Sequence, residues 1–408
     1  VTSSNVRTGH AGITKAEHEP AETRALFVGV LALLLATGWV ANHFVGLMPV
    51  ISDRARLSTT TLDGIFGIYA LGLLPGLLVG GRASDGLGRR SVALTGSLAA
   101  LTGTAVMLLS QHADALLLGR LIVGIGVGLA ISSCTAWASD LRGPAGAATA
   151  GAVLTAGFAL GPFVGGFIAW AGPSGIRVSF AVAAAIVVLA TCAVIGAARR
   201  TEVARPAAGY DSGRTAPAAP AAAGFGRALS WAMPLAPWVY ASATLGFVTI
   251  PTRLHTALAA PLAAGTATLI VNGVSGLVQL LARVLRWGPQ SGTVGAVLAA
   301  LGYAVAALAP AALTPALGLP LFLVLGCASG LCLREGLIDV EAAAPSHLRG
   351  ALTGVFYVVT YVGFALPLIL ATVGSAVSVV ILSAMAILAA ATAVARAVRL
   401  RRDSHRQG

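Results

Sequence analysis

Residues 61–110 read TLDGIFGIYALGLLPGLLVGGRASDGLGRRSVALTGSLAALTGTAVMLLS, two apolar runs (61–81 and 91–110) around one short polar stretch. Each run has the length of a helix that crosses a ~30 Å hydrocarbon layer. The stretch between them is Gly81-Arg82-Ala83-Ser84-Asp85-Gly86-Leu87-Gly88-Arg89-Arg90. Gly86 and Gly88 allow a tight turn between antiparallel helices, and Asp85 suits a helix N-terminus. The arginines hold the turn at an anionic membrane surface. Two membrane helices joined by a charged hairpin are the unit from which the rest is read.

The remainder of the chain has the same character. Of 408 residues 57% are apolar and only 10% charged, with 50 glycines and a mean hydropathy of +0.88. Soluble domains carry about 25% charged residues, and a water-soluble core stops growing near ~250–300 residues. Lipid must be the solvent for most of this chain. Spans are expected near 26–50, 61–81, 91–110, 115–139, 146–171 and 175–197. A second set follows near 231–252, 262–282, 291–310, 316–339, 349–371 and 374–397, with Pro234, Pro237, Asn272 and Arg334–Glu335 interrupting spans seven, eight and ten. The fold class is an all-α membrane protein of twelve helices in two six-helix halves. Residues 1–25 form an N-terminal tail, 26–197 the first bundle, 198–230 a linker, 231–397 the second bundle and 398–408 a basic tail. The first apolar run is too long and too far into the chain for a cleaved signal peptide.

Charge placement orients the bundle. Arg82, Arg89, Arg90, Arg142, Arg283, Arg286, Arg349, the linker arginines and the tail from Arg396 fall on one side. The opposite side has Arg54, Arg56, Arg177 and Arg253, so the positive-inside rule puts both termini in the cytoplasm. The Ala-, Gly- and Arg-rich usage points to a high-GC bacterium, the N-terminal Val to an alternative start codon, and the location to the bacterial plasma (inner) membrane. The basic charges are dispersed among short loops, which speaks for a membrane partner and against nucleic acid. Lys15 is the only lysine, so no Gly-Lys-Ser/Thr triplet of a P-loop exists. Cys134, Cys192, Cys327 and Cys332 form no Cys-x-x-Cys pair and read as small core residues. No catalytic residue, cofactor site or metal site is expected.

The halves echo each other. Gly157-Phe158-Ala159-Leu160 recurs as Gly363-Phe364-Ala365-Leu366, each after an Arg-Gly pair (Arg142-Gly143, Arg349-Gly350) in the preceding loop. Duplication of this kind is the plan of many secondary transporters, with a midplane site between the repeats. The spacing G-x-x-x-D-x-x-G-R-R over Gly81, Asp85, Gly88, Arg89 and Arg90 resembles the signature loop of the major facilitator superfamily. Leu117-Leu118-Gly119-Arg120 with Gly124, Gly126 and Gly128 resembles that family's helix-4 motif. Gly157, Gly161, Pro162, Gly165 and Gly166 form a smooth packing face on helix 5 and resemble the antiporter motif of drug:proton exporters. The counterpart of the first loop, Gly276 to Gly288, keeps Arg283 and Arg286 but lacks the Asp. The resemblance implies a cytoplasmic gate in which Asp85 meets the start of helix 11 near Arg349 to Ala351, while Arg89 reaches Asp140.

Ionisable groups within spans are functional candidates, because a charge there costs at least ~2.5–3.5 kcal/mol. Arg120 lies in the outer part of helix 4, and Trp39, Asn42 and His43 reach a similar depth in helix 1. If the family packing applies, both helices line the central cavity. Arg334 and Glu335 fall in the inner part of helix 10, project about 100° apart and need not pair. Glu335 is the one carboxylate placed inside a span away from its ends and is the candidate proton carrier, although drug exporters of the family carry an acid in helix 1. Asp63 and Asp114, at span ends, read as solvated or paired. The expected function is a monomeric secondary active exporter of small organic or drug-like compounds, driven by protons. Alternatives are a facilitator or symporter for one metabolite and, less favoured, a non-transporting receptor or scaffold.

Overall fold

The structure, a computed structural model, describes residues 21–204, 226, 229–343 and 349–407. Among them are twelve helices long and apolar enough to cross a membrane. The first half comprises helix 1 (Ala21–Ala55), helix 2 (Thr59–Leu87), helix 3 (Arg89–Leu109), helix 4 (Ala113–Gly143), helix 5 (Ala145–Trp170) and helix 6 (Gly175–Thr201). The second comprises helix 7 (Leu229–Arg253), helix 8 (Ala260–Val284), helix 9 (Gln290–Leu308), helix 10 (Pro315–Ala343), helix 11 (Leu352–Thr372) and helix 12 (Ser375–Asp403).

Chain reversals are short where the backbone permits it. Between helices 2 and 3 the turn is Gly88 alone, at φ +89°, a conformation open to glycine. Helices 4 and 5 meet at Arg142 and Gly143, where Gly143 takes φ +61° and Arg142 stacks on the Phe27 ring of helix 1. The glycine cluster of helix 4 serves packing on two sides. Gly124 and Gly128 lie against the backbone of helix 2, and Gly126 lies against Gly96 and Ala100 of helix 3. Lipid tails are as apolar as leucine, so close backbone contact is what holds such helices together.

Three of the domain boundaries shift. Helix 1 starts at Ala21 rather than near residue 26, and helix 6 continues to Ala204, into the stretch read as linker. Helix 12 runs on to Gln407, so the basic tail is a continuation of the span. The linker's interior, 205–225, lies outside the described residues. Arg396 is not a tail residue: it is 5% exposed inside the second bundle. Cys192 faces outward from helix 6, whereas Cys134 and Cys332 are buried.

Three helices are irregular at mid-depth. Helix 1 breaks at His43, helix 7 has a π-turn over Leu245–Thr249, and helix 11 a 3-10 turn over Val362–Ala365. Non-helical backbone at membrane depth is tolerated only where it faces protein or a cavity. All three breaks border the same place.

Candidate functional site

That place is a small cavity between the halves, ≈ 20 Å³ in volume, enough for about one water. Six aromatic side chains line it: Tyr69, Phe158, Tyr240, Phe247, Tyr361 and Phe364. Ala41 and two amides, Asn42 and Asn272, one from each half, complete the lining. Both amides donate to the Phe158 carbonyl, at 3.0 and 3.4 Å. The sequence repeat now has a physical meaning. Phe158 and Phe364, equivalent positions in the two halves, meet at one cavity, and the glycine before each seats its helix. Gly157 lies on helix 1 at Leu35 and Gly38, and Gly363 lies on helix 7 at Tyr240 and Ala241.

The aromatic rings also join the halves. Phe66 of helix 2 stacks on Phe364 with centroids 5.1 Å apart and meets Phe247 edge-on at 6.3 Å. Tyr240 and Tyr361 lie 4.5 Å apart. Toward the end that carries Asp63, a methyl placed on Gly265 of helix 8 would lie 2.7 Å from the Pro162 carbonyl of helix 5, and one on Gly166 would strike Pro261. Toward the end that carries Asp85, Gly276 approaches Thr155 and Gly354 approaches Leu78. Close contacts between the halves thus stand at both ends of the cavity.

Of the residues singled out for the pathway, Asn42 lines this cavity; the others are dispersed. Trp39 packs its backbone on Gly161. His43 is fully buried within the first half, its ring edge-on to Phe180 at 5.3 Å and its Nδ1 3.1 Å from the Val40 carbonyl. Arg120 stands directly behind the lining. Its Nη1 donates to the Ala41 carbonyl at 2.8 Å beside the break in helix 1, and its guanidinium lies 4.3 Å from the centre of the Tyr69 ring. It is 0% exposed, no carboxylate of the described residues pairs with it, and its Nε and Nη2 have no partner. The Tyr69 hydroxyl is likewise unpartnered.

Arg334 and Glu335 sit elsewhere, and here the reading from helical angles is corrected. The two side chains form an ion pair through Arg334 Nη1 and Glu335 Oε1, which the long arginine side chain can reach despite the angle between the neighbours. Ser291 of helix 9 donates to the same oxygen at 2.6 Å, and Arg396 of helix 12 lies 3.7 Å from the other. Arg396 also donates to Asp339 at 2.7 Å and lies over the Trp231 ring. All these partners belong to the second half, so the network ties helices 9, 10 and 12 together. Such a pair is expensive to break once buried. Asp63 is corrected too: it is 4% exposed, not solvated, and its Oδ1 has no partner.

At the Asp85 end Arg89 gathers three groups: it donates to Asp140 at 2.9 Å, to Ser84 at 2.7 Å, and pairs with Asp85. Gly81 and Gly86 face open space, and Arg90 follows in the first turn of helix 3. The contact expected between Asp85 and the start of helix 11 near Arg349 to Ala351 involves side chains outside those the structure describes. Asp85→Asn should loosen the grip of Arg89 and lower transport severalfold at unchanged membrane insertion, checked by transport per unit of inserted protein.

This arrangement matches a known family. The family model described as Major Facilitator Superfamily covers residues 26–368, and the chain belongs to that superfamily of secondary transporters. It is 32% identical over 127 residues to the 3-(3-hydroxy-phenyl)propionate transporter of Escherichia coli (strain K12), covering 30% of each chain. It is 26% identical over 174 residues to Multidrug resistance protein 2 of Bacillus subtilis (strain 168), covering 41% of this chain and 42% of that one. Probable polyol transporter 4 of Arabidopsis thaliana is 27% identical over 117 residues, 29% of this chain and 22% of that one. The matches thus span well under half of the curated relatives. Among solved structures, a peptide transporter POT in complex with sulfate shares the fold, with TM-score 0.73 at 15% identity over 95% of this chain and 96% of that one. The relatives named for a polyol, a hydroxyphenylpropionate and drug resistance handle chemically different cargoes.

Proposed function

We propose that this chain exports small, largely apolar organic compounds in exchange for protons, by opening the central cavity alternately to the two sides of a bacterial plasma membrane. The arginine excess at the Asp85 end supports placing that end, with both termini, in the cytoplasm. The observation that carries the reading is the cavity itself: six aromatic rings and two amides, with no charged group among its lining. Such a wall selects by shape and apolar area, with few directional bonds, and suits a range of aromatic compounds. The central cavity is lined by residues of one chain, which is in keeping with a working monomer. Resemblance to multidrug resistance proteins agrees. Growth inhibition across a compound panel, with and without the expressed protein, tests it. Tolerance to a set of uncharged aromatic compounds, lost when the proton gradient is collapsed, is expected. Unchanged sensitivity across the panel would contradict it.

A second reading is favoured by Arg120. Its two unpartnered nitrogens, Nε and Nη2, and the Tyr69 hydroxyl lie beside the cavity and would suit a metabolite with a carboxylate. The relative named for hydroxyphenylpropionate fits this reading. Counterflow of labelled 3-(3-hydroxyphenyl)propionate separates the two: saturable exchange supports the second reading, and its absence beside panel tolerance supports the first.

A further inference from the structure

Asp63 stands about 9 Å along helix 2 from Tyr69, toward the outer end. Two clefts of ≈ 480 and ≈ 410 Å³ flank it, and both are lined by Asp63 of the first half and by Val248 and Thr252 of the second. The second cleft shares Phe247 with the central cavity. Water-sized space therefore reaches either side of Asp63, while the residue is only 4% exposed and its Oδ1 is buried without a partner.

Among the described residues no cation forms an ion pair with Asp63. Helix 1 contributes exposed Asp53, a like charge, and helix 12 contributes Ser375 and Ser378. Helices 8, 9 and 11 contribute only apolar residues to the two clefts. Helix 7 contributes Arg253, but its guanidinium is engaged by the carbonyls of Ala306, Ala309, Pro310 and Ala311 at 2.9–3.4 Å. A carboxylate shut between two halves without a partner is unfavourable when charged. Closure of this end is favourable only for the neutral acid.

We propose that Asp63 is the proton-binding group on which closing of the outer end depends. The inference rests on the proton-coupled reading above. With the outer end open, a hydronium ion from outside transfers its proton to an Asp63 oxygen, forming the O–H bond and leaving water. The neutral side chain can then be enclosed. When water next reaches it the O–H bond breaks, the proton leaves on that water, and the carboxylate again disfavours closure.

The test is pulsed electron spin resonance on purified protein, with spin labels at Ala55→Cys and Ala257→Cys, both exposed at the outer end. The background carries alanine at the four native cysteines, and the only probe is proton concentration. The label distance should lengthen at alkaline pH and shorten at acid pH. Asp63→Asn should stay short at both, Asp63→Glu should restore the response, and Glu335→Gln should keep it. A full pH response in Asp63→Asn would overturn the proposal while sparing proton coupling. A parent protein whose distance ignores pH, and whose transport ignores an imposed pH gradient, would overturn the coupling reading itself.

Discussion

Leucine in place of Gly166 is expected to abolish transport while the protein remains inserted and folded. Gly166 lies at the Asp63 end of helix 5, where its Cα faces the Pro261 carbonyl of helix 8 across the boundary between the halves. Any side chain there strikes backbone, which cannot move aside as a rotamer can. The fold of each half is untouched, but the Asp63 end can no longer shut. Gly161→Leu makes an informative contrast. Gly161 faces the Trp39 backbone of helix 1 within the same half, at 2.8 Å for an added methyl. Overpacking there costs typically 1–3 kcal/mol and should lower thermal stability as well as transport. Transport per inserted molecule, read beside the melting temperature, separates the two. Normal transport by Gly166→Leu would show that this contact plays no part in the cycle.

Arg120→Leu should lose most transport yet melt no lower than the parent. Leucine forfeits one hydrogen bond to a buried carbonyl, about 1–3 kcal/mol, and the stacking on Tyr69, about 0.5–2 kcal/mol. Against this, enclosing a guanidinium without a carboxylate costs several kcal/mol. The arginine is thus retained at the expense of stability, beside the cavity and at the break in helix 1. A variant that melts lower but still transports would make Arg120 a plain cap for that break.

Much of the fold was legible because lipid imposes a simple code. Apolar length and the side on which arginines fall gave twelve spans, two halves and the hairpin at 81–90. The Gly-Phe-Ala-Leu repeat marked Phe158 and Phe364 before their meeting at the cavity could be seen. The cavity's other walls were not legible, since Tyr69, Tyr240, Phe247, Asn272 and Tyr361 come from four helices and look like ordinary span residues. Arg396 groups with the tail arginines by charge although it falls inside the span read as 374–397; its partners Asp339 and Glu335 on helix 10 are a long-range arrangement. Glu335 looked exceptional as a charge in a span, but Arg334, Arg396 and Ser291 around it are a long-range arrangement. Asp63 looked ordinary because it lies near a span end. Its burial depends on helices 7 and 8, nearly two hundred residues away in the chain.

Rocking of the two halves about the central cavity is tested most directly by locking them together. Thr155 of helix 5 and Gly276 of helix 8 meet at the Asp85 end, with 3.9 Å between the Thr155 Cβ and a Cβ placed on Gly276. That separation suits a disulfide, whose Cβ atoms lie about 3.5–4.5 Å apart. With cysteines at both positions and none elsewhere, oxidation should stop transport of an exported panel compound, and reduction should restore it. Undiminished transport by the fully disulfide-linked protein would contradict alternating access through this cavity.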